Sequence, residues 1–264
     1  MPELPEVETA RRRLERSLLG QQIIRVAASD DPLVFDRSSP AQVEAALRGQ
    51  VVLGTGRKGK YFWLLLDQPP HPVFHFGMSG RLEIYQTGAP APKYWKLEIE
   101  VADGTVVAIT DRRRLGRIRL AHDPESEPPI SLLAFDVLTA LPSAVELQRR
   151  LRVRRGPVKA VLLDQRLFAG VGNWMADEVL YQARISPLRP ANEVSQPELR
   201  RVRAALKSVA EQAVAVDADA DRFPRGWMFH RRWDHRIGTG PRGEPLVRQQ
   251  IGGRTTTWAP SRQK

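Results

Sequence analysis

Pro2-Glu3-Leu4-Pro5-Glu6-Val7-Glu8 places a candidate nucleophile and candidate proton carriers within a few residues of the chain start. A small residue after Met1 invites removal of the initiator, which turns Pro2 into a secondary amine with Glu3 beside it and Glu6 further along. A free α-amine has a pKa of about 8, so roughly a tenth is unprotonated at neutral pH, and a nearby helix N-terminus raises that fraction. Such an amine can attack a sugar or carbonyl carbon and form an iminium, while neighbouring carboxyl groups donate and accept protons. The plainer reading of the same residues is a proline-initiated helix whose acidic first turn complements its dipole.

The other residues with chemical potential are basic and sit beside glycines. Arg57-Lys58-Gly59-Lys60-Tyr61 reads as a hairpin turn, and His75-Phe76-Gly77-Met78-Ser79-Gly80 as a tight connection between strands. Asp111-Arg112-Arg113-Arg114-Leu115-Gly116 is a basic loop, a poor place for three arginines unless they face an anion. Gly170-Val171-Gly172-Asn173 opens a helix beginning near Trp174, so its backbone N–H groups and Asn173 can bind a phosphate.

These residues must be carried by two kinds of structure. Val7, Ala10, Leu14 and Leu18 recur at helical spacing, predicting an amphipathic helix from Pro5 to about Leu19. Short β-prone runs follow at Ile23–Val26, Val51–Leu53, Tyr61–Leu66, Val73–Phe76, Arg81–Tyr85, Lys96–Val101, Val106–Thr110 and Ile118–Leu120, the pattern of a β-sandwich or barrel. After a proline-rich stretch from Ala121 to Pro129 the pattern turns helical at Leu132–Leu141, Ala144–Leu151, around Val161, at Trp174–Ala183 and from Gln196 to about Val216.

Composition narrows the partner. The 264 residues carry 41 Lys+Arg against 30 Asp+Glu, a net charge of +11 that points to nucleic acid or an anionic membrane. The segment from Arg222 onward is strongly basic, marking it as a phosphate-contacting element. The absence of cysteine excludes disulfides, thiolate catalysis and sulfur-ligated zinc. His71, His75, His122, His230 and His235 show no metal-ligand spacing. With neither a membrane-length apolar run nor a signal-peptide layout, the expectation is a cytoplasmic protein, nucleoid-associated if bacterial.

Taken together, these segments resemble the formamidopyrimidine-DNA glycosylase and endonuclease VIII family over essentially the whole chain. Leu4 in the opening motif is similar to the formamidopyrimidine branch, since the other branch usually has glycine there. The resemblance implies an α+β fold, with an N-terminal helix and β-sandwich over 1–121, a linker over 122–130, a helix-two-turn-helix domain over 131–221 and a zincless β-hairpin finger over 222–264. It implies a monomeric base-excision repair enzyme that holds duplex DNA containing oxidised bases or abasic sites in the cleft between its domains, with no membrane partner. Pro2 would attack the anomeric carbon, Glu3 would act as general acid, Glu6 would orient the N-terminus, and Lys60 would touch phosphate near the lesion, ending in β,δ-elimination.

The same resemblance assigns the DNA contacts. Met78 would plug the gap left by the flipped nucleotide, and Arg113 would intercalate against the orphaned base, with Arg114 beside it on the DNA. Leu115 stands where the family has an aromatic wedge. Lys159 and Asn173 would be phosphate ligands, Glu178 an internal buttress of the Gly170–Asn173 turn, and Arg254 the finger-tip contact to the lesion-side phosphate. Leu246, Gln249, Ala259 and Arg262 occupy the places of four zinc-binding cysteines, so no metal and no cofactor are expected. A structural zinc supplies about 10 kcal/mol or more, which packing must replace.

Lesion choice stays open at this level. The branch signature implies 8-oxoguanine or formamidopyrimidine, whereas Ala215–Arg225 lacks the Gly- and Thr-rich loop usual in enzymes that excise 8-oxoguanine, leaving oxidised pyrimidines and hydantoins as alternatives. A catalytically silent lesion binder and a ribosome-associated RNA binder are the non-enzymatic readings.

Overall fold

The computed structural model describes residues 2–233 and 238–264; Met1 and His235 lie outside the described residues. The chain divides into two compact units, one formed by Pro2 with Glu6–Leu132 and the other by Glu3–Pro5 with Leu133–Lys264.

The first unit contains most of α1 (Leu4–Leu18), then β1 (Ile23–Ala28), α2 (Pro40–Leu47), β2 (Val52–Lys58), β3 (Tyr61–Leu66), β4 (His71–His75), β5 (Gly80–Gln86), β6 (Trp95–Val101), β7 (Thr105–Asp111) and β8 (Arg117–Ala121). The strands form two antiparallel four-stranded sheets, in the orders β1-β6-β7-β5 and β2-β3-β4-β8. Their inward residues, among them Phe62, Leu64, Phe74, Leu97, Ile99, Val107 and Ile118, share one core, which the predicted α1 stripe of Val7, Ala10, Leu14 and Leu18 joins. α2 is a helix the periodicity did not predict, because only Val43 and Leu47 are buried from it. Its local signal is a capping box, in which the Gln42 amide donates to Ser39 Oγ at 3.2 Å and the Ser39 amide donates to Gln42 Oε1 at 2.8 Å.

The second unit carries β9 (Phe135–Asp136), α3 (Ala144–Leu151), α4 (Val158–Leu162), β10 (Phe168–Ala169), α5 (Asn173–Ala183), α6 (Gln196–Ala215), β11 (Val247–Ile251) and β12 (Arg254–Trp258). All of α5 except Asn173 and Gln182 is buried, so this helix is the centre of its unit, packed on α6. Leu132–Leu141 is not the expected helix. Asp136 accepts hydrogen bonds from the amides of Leu138 and Thr139, closing a local turn, and the Phe135–Asp136 pair runs parallel to Phe168–Ala169. β11 and β12 form an antiparallel hairpin turning at Gly252-Gly253.

Candidate active site

In the second unit the site is organised by the N-terminus of α5. Gly172, its N-cap, offers no side chain, and the carboxylate of Glu3 takes the capping position instead. Glu3 Oε1 accepts the Trp174 amide at 2.8 Å and Oε2 the Met175 amide at 3.0 Å, satisfying two of the helix's orphan donors. The Leu4 amide donates to the Gly170 carbonyl at 3.1 Å, and the Leu4 side chain lies in the core of this unit. A Cβ on Gly172 would fall 2.1 Å from Glu3 Cδ, so glycine is required for the carboxylate to approach. Glu3-Leu4 and the Gly170–Asn173 turn, far apart in sequence, are therefore one structural object.

Asn173 follows in the first turn of α5. Its Nδ2 donates to the Thr255 carbonyl at 2.9 Å, which leaves one amide hydrogen for an anion. Arg254 stands exposed at the tip of the β11–β12 hairpin. Lys159 differs from expectation. Its side chain is 0% exposed and its ammonium lies 2.6 Å from Asp177 Oδ1, so it is sealed in the protein and is not a direct phosphate ligand. Glu178 is also buried, but it does not buttress the glycine turn. It accepts the Phe229 amide at 2.9 Å and Gln182 Nε2 at 2.8 Å, fastening the segment after α6.

Burial pushes the Glu178 carboxyl up from 4.5 to about 7. The folded state thus holds this proton more tightly than the unfolded chain does. The resulting stabilisation is complete below pH 4.5 and is lost as pH rises through about 7, on the order of 3 kcal/mol in all. Glu178→Gln keeps an acceptor for Phe229, and Gln182 can flip its amide to match. It is expected to flatten this pH dependence and to be more stable than the parent at pH 8 by about 1–3 kcal/mol, with little difference near pH 4.5, in urea unfolding curves at the two pH values.

In the first unit two loops are joined into one surface. Gly77 has φ +59, and a Cβ there would sit 2.3 Å from the Leu115 carbonyl oxygen, so the Met78 turn and the Arg113–Gly116 loop touch backbone to backbone. Asp111, buried at the end of β7, ties them. It accepts the Ser79 hydroxyl, the Arg113 amide at 3.1 Å and the Gly116 amide at 2.6 Å. Met78 and Leu115 are each 38% exposed, and Arg113, at the start of the second loop, is exposed. Arg114, with φ +56, places its guanidinium on Asp31 at 2.9–3.0 Å while its side chain stays half exposed on the same loop.

Lys60 lies in the β2–β3 turn, partly buried, where its charge acts on His75. Burial, with the Lys60, Arg119 and Arg117 charges, holds the His75 imidazole down to about 4. That neutral ring accepts the Gly77 amide at 3.2 Å and stacks on Tyr61, a structural role that shapes the Met78 turn. Arg57 donates to the Gly59 carbonyl at 3.1 Å and to Glu8 at 2.9 Å, linking the Lys60 turn to α1. Burial alone would raise Glu8, but the Arg11 hydrogen bond and the Arg57 charge prevail and hold it at about 2. Glu6 and Pro2 are partly buried at the start of the unit.

The finger positions do not fit a metal. Leu246 and Ala259 are buried with Tyr181 and Met228 in a small apolar cluster, Arg262 lies over the Tyr181 ring at 4.7 Å, and Gln249 is exposed opposite Thr256. The Tyr181 hydroxyl donates to Glu244, so an aromatic ring from α5 fills the space between three of the four positions. Among the described residues no group of three or more His, Asp or Glu is placed to hold a metal ion. No described helix is long and apolar enough to cross a membrane.

Asp111, Asp177 and Tyr181 escaped sequence reasoning. Asp111 lies inside a motif and Asp177 inside an expected helix, neither with a signal for its distant partners, and Tyr181 reads simply as a residue of an apolar helix.

A helix-capping N-terminal carboxylate, a β-sandwich unit with paired exposed loops and a metal-free hairpin beside a glycine-turn helix define a helix-two-turn-helix protein of α+β class. The formamidopyrimidine-DNA glycosylase N-terminal domain model matches residues 1–118, and the H2TH domain model of the same glycosylases matches residues 133–224. The chain belongs to the formamidopyrimidine-DNA glycosylase family, on the branch that Leu4 indicates. A formamidopyrimidine-DNA glycosylase of Arabidopsis thaliana is 40% identical over 277 residues, spanning 100% of this chain and 71% of that protein. One from Moorella thermoacetica is 37% identical over 97% of this chain and 89% of its own. A crystal structure of the Lactococcus lactis enzyme bound non-covalently to DNA containing an abasic site superposes with a TM-score of 0.88 over 99% of both chains, at 25% identity. A Lactococcus lactis mutant in complex with DNA containing Fapy-dG gives 0.88 at 26% identity, over 100% of both chains.

Proposed function

We propose that this chain is a monomeric DNA glycosylase and abasic-site lyase that excises oxidised bases from duplex DNA in base-excision repair, acting in the cytoplasm or on the nucleoid. The observation that carries the reading is Glu3 held by the Trp174 and Met175 amides, which fixes the carboxylate covalently adjacent to the Pro2 amine. In the first step the Pro2 lone pair forms a bond to C1′, the glycosidic bond breaks, and the base leaves with that electron pair and a proton. The attached nitrogen then loses its proton and its electron pair breaks the C1′–O4′ bond, with Glu3 as the acid that gives O4′ its proton, so that the sugar ring opens to an iminium; Glu6 orients the N-terminus. Loss of a C2′ proton from the resulting iminium expels the 3′ phosphate, and a second elimination expels the 5′ phosphate.

Met78, Arg113 and Leu115 supply the surface that fills the vacated stack, with an aliphatic wedge in place of an aromatic one. Lys60, Asn173 and Arg254 take phosphates, so affinity falls as salt rises. Lys159 enters this scheme through its ion pair, and Arg114, paired with Asp31 yet half exposed, lies beside Arg113 on the DNA-facing loop.

The N-terminal signature favours purine-derived lesions. One observation favours a shift away from 8-oxoguanine itself, toward formamidopyrimidines, hydantoins or oxidised pyrimidines. Phe223 and Trp227, just beyond α6, are buried and stacked on Trp174 at 5.5 and 6.3 Å, so this segment is committed to the core. Borohydride trapping on 8-oxoguanine opposite cytosine and on a preformed abasic site tests both levels. Covalent product on both duplexes is the expected result. Product on the abasic duplex alone keeps the lyase and moves the substrate to the other lesions, and product on neither leaves a binder.

A further inference from the structure

The buried charges around Lys159 converge on one strand. Asp177, in the second turn of α5, has both oxygens engaged, with Lys159 Nζ at 2.6 Å and an Arg232 guanidinium nitrogen at 2.7 Å; the Asp177 and Lys159 side chains are fully buried and that of Arg232 nearly so. Among the described residues, the contacts of Lys159 and Asp177 with β12 fall on three consecutive residues. Lys159 Nζ donates to Thr256 Oγ1 at 2.6 Å and to the Thr255 carbonyl at 3.2 Å, and the Thr257 amide donates to Asp177 Oδ2 at 3.3 Å. Asn173 adds its own bond to the Thr255 carbonyl. Arg248 of β11 donates to the Arg232 carbonyl at 2.8 Å, so the partner strand is tied to the same group.

The residue immediately before Thr255 is Arg254. A strand that slips by one residue turns every side chain to its opposite face. Polar anchors at three successive residues forbid that slip, which an apolar contact surface resists less specifically. A buried ion pair is weak evidence for stability, since well-packed apolar residues do as well, and fixing register is one of its best-attested uses. The Tyr181 cluster secures the hairpin at its far end, around Leu246 and Ala259, and does not reach the tip.

We infer that Asp177 is a positioning residue for phosphate recognition. With Lys159 and Arg232 it sets the register of β12, and so the place of Arg254, in a finger that has no metal to do so. This rests on the reading above in which Arg254 contacts DNA.

A double-mutant cycle tests it, with Asp177→Asn, Arg254→Ala and their combination. Affinity for a duplex carrying a tetrahydrofuran abasic-site analogue is measured from 100 to 300 mM salt, below the melting temperature of every variant. Each single variant is expected to bind about tenfold more weakly, with the slope of log affinity against log salt reduced by about 0.9, one phosphate contact. The double variant is expected to lose no more than the worse single variant. Losses that multiply to about a hundredfold, or an Asp177→Asn protein with the full salt slope, overturn the inference. An Arg254→Ala protein with parental affinity and slope overturns the reading of Arg254 itself, and the inference with it. Should Asp177→Asn fail to fold, Thr256→Val carries the same cycle, since it removes one Lys159 bond without orphaning a charge.

Discussion

Gly172→Ala is expected to reduce single-turnover base excision by at least about a thousandfold in a protein that still folds and binds DNA. The added Cβ would lie 2.1 Å from Glu3 Cδ and 2.4 Å from both Cγ and Oε1, so the Glu3 side chain has to move. The backbone at Gly172, with φ −121, suits alanine, so the clash is resolved by expelling the carboxylate. α5 then loses its cap, a loss of about 1 kcal/mol that a helix buried on nearly every side tolerates. Catalysis is more sensitive. General-acid assistance contributes roughly 10²–10⁴-fold, and a displacement of about 1 Å in the groups flanking a nucleophile costs about 10²-fold. Rapid-quench excision measured beside the affinity for an abasic-analogue duplex separates the two effects, with affinity expected to stay within about threefold. An excision rate within tenfold of the parent would show that the Glu3 cap does not position the chemistry. Glu3→Gln is the companion, because an amide presents only one oxygen to two donor N–H groups.

The elements that carry this site were legible where the signal is local. Alternation and glycine punctuation located every strand of the sandwich, though β2 runs on to Lys58, five residues past its expected end, and the α1 stripe announced its buried face. α2 was missed because two buried residues make no period, and Leu132–Leu141 was misread because Asp136 captures the amides that a helix needs. At the site, the types and spacing around Pro2, Gly172 and Arg113 pointed to chemistry, but partners distant in the chain decided the fate of each basic residue. Arg114 and Lys159 looked alike as cations beside DNA-facing motifs. Asp177 buries Lys159 whereas Asp31 pairs with an Arg114 that stays half exposed, and nothing in the neighbouring sequence of either cation names its carboxylate. The finger shows the same limit. The loss of cysteine was plain, whereas the ring of Tyr181 lying between Leu246, Ala259 and Arg262 follows only from how α5 packs.

Blocking the N-terminus is expected to remove covalent chemistry altogether. An acetylated Pro2, or a chain that begins one residue earlier, presents an amide nitrogen whose lone pair is delocalised and cannot add to C1′. Borohydride trapping on a preformed abasic duplex is therefore expected to fall by at least about 10⁴-fold, a loss of over 5 kcal/mol in transition-state terms. Binding of the same duplex should change little, because Asn173 and Arg254 lie elsewhere in the chain. Intact mass measured on the parent supplies the control, since the active protein must lack Met1. Continued trapping by the blocked protein would transfer the imine to a lysine. Lys159 is a poor candidate, with no exposed surface and an ammonium held by Asp177 and Thr256. Lys60, in the β2–β3 turn that Arg57 fastens to Glu8, would then be the nucleophile to replace next.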